Sequence, residues 1–146
     1  MDGLAVLNRL PSRAGEKRCC FATCGSNEET VSHLLWQCSW PKEVWNFVQL
    51  WCDLDLAHVL TISDLFSVSH ASFKSALHIK ITHAVALSTF WAIWKARNDR
   101  SFNNKISSPD VVLEDINTIS FLWIKNRGNC SFIKWKYLCS FPFVVP

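Results

Sequence analysis

Apolar positions recur along this chain at helical rather than strand spacing. Val31, Leu34, Leu35 and Cys38 fall at i, i+3, i+4 and i+7, one face of a helix that starts near Asn27. Ser26 and Glu29 suit a capping box at its start, and Glu28 and Glu29 stand where a helix dipole favours acids. Pro41 cannot continue that helix but fits the first turn of the next, where Val44, Trp45, Val48, Trp51 and Cys52 make one stripe. Residues 53–72 are mixed and read as a loop with short helical pieces. A long helix from about Phe73 to Phe102 is expected to bury Leu77, Ile81, Ala84, either Leu87 or Ser88, Trp91 and Trp94. Ser108 and Pro109 mark a further start, after which Val112, Ile116, Ile119 and Trp123 recur until Gly128 and Asn129. The remainder alternates weakly and ends in prolines, as an extended or irregular cover would.

Composition adds that this surface must be buried somewhere. With 49% hydrophobic and 18% charged residues, eight Trp and ten Phe, the chain is no disordered tail. Its aromatic surface needs the chain's own core or a protein partner. The N-terminus, an extended lead-in broken at Pro11 and Gly15, lacks the pattern of a secretory leader. The most apolar window, residues 81–94, is shorter than the roughly 20 residues of a membrane span and is flanked by Lys80 and Lys95. A buried core helix is the expectation, with no membrane partner and an intracellular setting, nuclear or cytoplasmic. Seven cysteines without a secretory leader argue for reduced thiols, some of them on metal, over a disulfide framework.

Charge is uneven. Residues 1–18 carry four Lys or Arg against two acids, residues 19–72 one against six, and residues 73–146 ten against four. The basic C-terminal half could favour an anionic partner, or it could be the solvated face of helices.

The stretch CCFATCGSNEETVSHLLWQC, residues 19–38, is where chemistry concentrates. Zinc takes four tetrahedral ligands from Cys and His, often as a close pair and a distant pair. Cys20 and Cys24 have three residues between them, His33 and Cys38 have four, and Cys19 is an alternative to Cys20. Gly25 allows the tight turn of a chelating loop. On an ideal α-helix, however, five positions rotate a side chain by about 500°, leaving His33 and Cys38 about 140° apart. Both can reach one ion only if the helix ends or loosens before Cys38. The competing reading makes Cys38 a core thiol and His33 a surface histidine.

The words LNRLPSR, CGSNEETVSHLLWQC and PKEVW, in that order, resemble the zinc-binding domain that follows the reverse transcriptase in plant non-LTR retrotransposon polyproteins. FWAIWKARNDRSFNNK and SFLWIKNRGNCSFIKW are similar to the segments that follow this domain. The resemblance runs from about Leu7 to Phe143. It implies zinc held by Cys20 (or Cys19), Cys24, His33 and Cys38. The first cysteine spacing departs from the two residues usual in the family.

The implied architecture is mainly α, a small three-Cys, one-His zinc knot followed by a helical bundle with an irregular C-terminal tail. A zinc-binding domain would span 7–52, with a helical C-terminal segment at 73–146 packed on it. The paired aspartates of a reverse transcriptase would lie upstream of the matched words, and Asp53, Asp55 and Asp64 read as a loose acidic loop. No enzyme activity is expected.

Two functional classes follow. One is a non-catalytic zinc module contacting RNA or DNA, with Arg9, Arg13, Lys17 and Arg18 near the knot and Lys95, Arg97, Arg100 and Lys105 on the long helix as phosphate contacts. Trp36 or Trp40 could stack on bases or pack in the core. The other is a helical interaction or scaffold fragment, and a retroelement remnant without selected activity is a third reading.

Overall fold

The computed structural model describes residues 30–72 and 75–139, which are mainly α-helical, with no strand among them. The order is a π turn at His33–Gln37, α1 at Ser39–Cys52, α2 at Ile62–Ser72, α3 at Ala76–Asn103, α4 at Pro109–Asn126 and α5 at Trp135–Cys139.

Thr30 opens the first turn: its hydroxyl accepts a hydrogen bond from the His33 N–H at 3.0 Å, satisfying a donor with no intrahelical partner. Cys38 then leaves helical geometry, with φ −66° and ψ 144°, and its carbonyl accepts from the Lys42 N–H at 3.1 Å to start α1. Pro41 is the third residue of α1, where a missing N–H costs nothing. The expected stripe of this helix is present: Val44, Trp45, Val48 and Cys52 are buried. Trp51 is half-buried, and its indole N–H donates to the Leu138 carbonyl at 3.0 Å, tying α5 back to α1.

Residues 53–72 are more ordered than a mixed pattern suggested, because α2 occupies the second half. Its start is a capping exchange. Asp64 accepts from the N–H groups of Leu60 and Thr61, while the Thr61 hydroxyl accepts from the Asp64 N–H. The Thr61 side chain first, and the Leu60 backbone N–H second, hold the Asp64 carboxyl below its usual range. Asp55 accepts from the Ala57 N–H, and Asp53 ends α1 in the left-handed region. Each of the three acids therefore has a local backbone role.

α3 and α4 form the centre of the fold. Their five-residue connection begins with Asn104 at φ 55°, and the Lys105 N–H bonds back to the Asp99 carbonyl. Ser108 and Pro109 start α4 as expected. The stripe α3 buries contains Ile81, Ala84, Val85, Ser88, Thr89, Ala92, Ile93 and Ala96. The hydroxyls of Ser88 and Thr89 donate to the carbonyls four residues back, which lets them lie in the core. This corrects the expected face at one end: Ser88 is buried, whereas Leu87 and Trp91 are exposed. Small residues win that stripe because they let neighbouring helices approach closely. α4 buries Val112, Ile116, Ser120 and Ile124, with Ile119 half-buried and Trp123 exposed.

The C-terminal segment is partly regular. Residues Trp135–Cys139 are helical, with Leu138 buried and Trp135 edge-on to Phe121 at 5.3 Å. The expected irregular tail beyond residue 139 lies outside the described residues.

Candidate metal centre

The backbone between His33 and Cys38 does not follow an α-helix. The Cys38 N–H bonds to the His33 carbonyl at 2.9 Å, an i→i+5 bond. A π turn has about 4.4 residues per turn, so five positions advance about 410° and return to within about 50° of the starting face. The helix loosens where a shared ion would require it to. The Gln37 side-chain amide donates to the Ser32 hydroxyl across the same five-residue step, at 3.1 Å.

Both residues are buried, His33 at the edge and Cys38 completely. His33 is therefore not a freely exposed surface histidine. Their setting is made by the neighbouring aromatic cluster. Trp36 stacks on Trp45 at 4.8 Å, and both meet the Phe90 ring edge at 5.3 and 5.1 Å. The Trp45 indole N–H donates to the Leu35 carbonyl at 2.8 Å, from α1 to the π turn. Trp36 and Trp40 are both half-buried, packed against the core. Neither is set out as a platform for a base.

Cys19, Cys20 and Cys24 lie outside the described residues, as do Arg9, Arg13, Lys17 and Arg18. Among the described residues no group of three or more His, Cys, Asp or Glu side chains converges. His33 and Cys38 would supply two donors of a four-ligand set, and a soft thiolate with an imidazole suits zinc. Cys38 shares the core with Cys52 and Cys130, and burial pushes the Cys52 thiol far above the usual range, whereas Cys139 is exposed.

The basic residues of α3 do not make one exposed strip. Lys95 pairs with Asp99 at 3.6 Å and with Asp115 of α4 at 3.5 Å, which neutralises it. Arg97, expected among the phosphate contacts, is buried; it donates to the Asn98 side chain at 3.1 Å and lies over Phe102. The reason is rotational, since Arg97 sits about 200° round the helix from Lys95. Arg100 is half-exposed near the end of α3, and Lys105 is exposed in the connection.

A second cluster escaped the sequence reading. His83 of α3 contacts Phe66 and His70 of α2, with ring centroids 4.4 and 5.4 Å away. Burial first, and the neighbouring His70 second, lower the tendency of His83 to take a proton. Phe66 and His70 stand one turn apart on α2, and His83 reaches them from α3, so no local spacing announced the contact.

α3 is long and apolar enough to cross a membrane by length and composition, but half of its most apolar window is buried in the fold. Comparison with family models, curated proteins and solved structures finds no match to this chain.

Proposed function

We propose that this chain is a non-catalytic zinc-binding module of the type that follows the reverse transcriptase in plant non-LTR retrotransposon polyproteins. Cys20 or Cys19, Cys24, His33 and Cys38 would hold the ion, and the zinc would fasten the N-terminal segment to the π turn at the head of α1. RNA or DNA is the partner class, met through Arg9, Arg13, Lys17 and Arg18 beside the ligands and through Arg100 and Lys105.

The observation that supports this reading most is the i→i+5 bond between Cys38 and His33. An α-helical step would have separated these two side chains, and burial of both gives a thiolate and an imidazole a protected setting. Metal analysis of the purified chain tests it. About one zinc per chain, lost in Cys24→Ser and in His33→Ala, is the expected result for a four-ligand site. Cobalt substitution adds a thiolate charge-transfer band that a surface-bound ion would not give. A metal-free chain with full helical content rules the reading out. Salt-titrated binding to single-stranded RNA tests the partner class separately.

A further inference from the structure

Residues 116–146 contain no Asp or Glu, yet they carry Lys125, Arg127, Lys134 and Lys136. All four are exposed, at the C-terminal end of α4, just beyond it, and at the start of α5. Among the described residues no ion pair involves Lys125, Arg127 or Lys134, in contrast to Lys95, which has Asp99 and Asp115. Helix stability does not account for the set. Cations suit the C-terminal dipole of α4, which covers Lys125 and Arg127. Lys134 instead precedes the first residue of α5, at the end where a helix dipole disfavours a cation. Like charges gathered without an acid repel one another, and a bound polyanion removes that repulsion.

Aromatic side chains stand among these cations. Trp135, between Lys134 and Lys136, is 44% exposed, and Phe132 in the preceding turn is 60% exposed. Phe121 of α4 joins the parts into one patch. The Trp135 ring meets it at 5.3 Å and 87°, and the Lys125 ammonium lies over it at 5.6 Å. The indole is thus held against α4 in one orientation, with much of its surface free and a cation of α4 beside it.

We infer that the end of α4 and α5 form a docking surface for single-stranded nucleic acid, with phosphates on Lys125, Arg127 and Lys134 and an unpaired base on Trp135. Charge selects a polyanion. The fixed ring selects one whose flat faces are free to stack, which means bases outside a duplex. A membrane surface fits less well, because a helix lying in a bilayer surface segregates a continuous apolar face from its cations. Here Leu138 of α5 and the preceding Ile133 are buried in the fold, and the exposed ring has a lysine on each side.

This surface is separate from the zinc ligands, so the inference shares the partner class of the zinc module without resting on the metal. Fluorescence anisotropy of a labelled oligouridine of about 12 nucleotides, titrated with the full chain, tests it. Three phosphate contacts predict a slope of about −2 for log affinity against log salt. Lys125→Gln and Lys134→Gln should each reduce that slope by about 0.7. Trp135→Leu should weaken binding about 10-fold with the slope unchanged, and Trp135→Phe should recover most of the loss. The lysine variants, at exposed positions, decide the matter if Trp135→Leu lowers the helical circular dichroism. Lys42→Gln, an exposed lysine of α1, should change neither affinity nor slope.

A wild type that does not bind at low salt, or binding untouched by Lys125→Gln and Lys134→Gln, would overturn the inference. So would an equal loss in Lys42→Gln, tighter binding to a duplex of the same length, or competition by polyglutamate as strong as by unlabelled oligouridine. Binding to phosphatidylserine vesicles with none to the oligonucleotide would assign the patch to a membrane instead. Chelation separates the two readings. Binding that persists without metal and falls in the lysine variants upholds this surface even where the zinc module fails, whereas binding that needs zinc and ignores these variants refutes it.

Discussion

The N–H of Cys38 donates to the carbonyl of His33 across five residues at 2.9 Å, and this one bond changes what the pair can do. It replaces an α-turn that would have set the two side chains on different faces. The extended backbone of Cys38 then ends the turn and starts α1.

The first prediction concerns that pair. His33→Ala and Cys38→Ser should each lower bound zinc from about one per chain to less than about a tenth, and lower the thermal midpoint, because binding energy in small zinc sites is folding energy. Metal analysis and thermal circular dichroism check both arms. A Cys38→Ser chain that keeps its zinc would remove Cys38 from the ligand set.

Trp45 connects α1 to the π turn through its indole N–H and its stack on Trp36. Trp45→Phe leaves the Leu35 carbonyl without its buried donor, and should cost about 1–3 kcal/mol in urea unfolding. A loss well below that range would mean that water reaches the carbonyl.

The histidine cluster predicts a pH dependence. His83 has its folded pKa depressed below 6.5, by burial and by His70, so the unfolded chain binds the proton more readily. The stabilisation is complete above pH 6.5 and is lost as the pH falls through the lower, folded value. Thermal midpoints should therefore fall from pH 7.5 towards about pH 5, and His83→Gln should flatten that component. Because His83 meets Phe66 and His70, the earliest change should be loosening of α2 from α3, followed by amide exchange.

Gly128 closes α4 where its N–H bonds to the Trp123 carbonyl at 3.1 Å. A Cβ there would lie 2.7 Å from the Ile124 carbonyl oxygen, and backbone cannot swing aside as a flexible side chain can. Gly128→Ala should destabilise by about 1–3 kcal/mol in chemical denaturation, the range of overpacking. An unchanged midpoint would show that the turn shifts freely.

Thiol reactivity separates two of the described cysteines. Cys139 is exposed and should react promptly with a thiol reagent, whereas Cys52 should stay protected until the chain unfolds. Mass spectrometry of the modified chain distinguishes the two. Early labelling at Cys52 would mean that α1 opens in the native state.

Local information in the sequence determined much of this protein. Helical spacing marked α1, α3 and α4, Ser108 and Pro109 marked the start of α4, and Pro41 sits in the first turn of α1 as its missing N–H demands. Those features act within a few residues, so they can be read without knowing the fold. The buried face of α3 was legible at Ile81 and Ala84 but not at its C-terminal end. Hydrophobicity favoured Trp91 and Trp94, but close approach of neighbouring helices selected the smaller stripe through Ser88, Ala92 and Ala96, turning Trp91 outward and Arg97 inward. The His70–His83 contact and the Trp51–Leu138 bond join distant parts of the chain, so only the tertiary arrangement decided them. The step from His33 to Cys38 lies between these cases. The spacing showed that an α-helix would not serve both residues, and the packing of Trp36 and Trp45 around a widened turn provided the alternative.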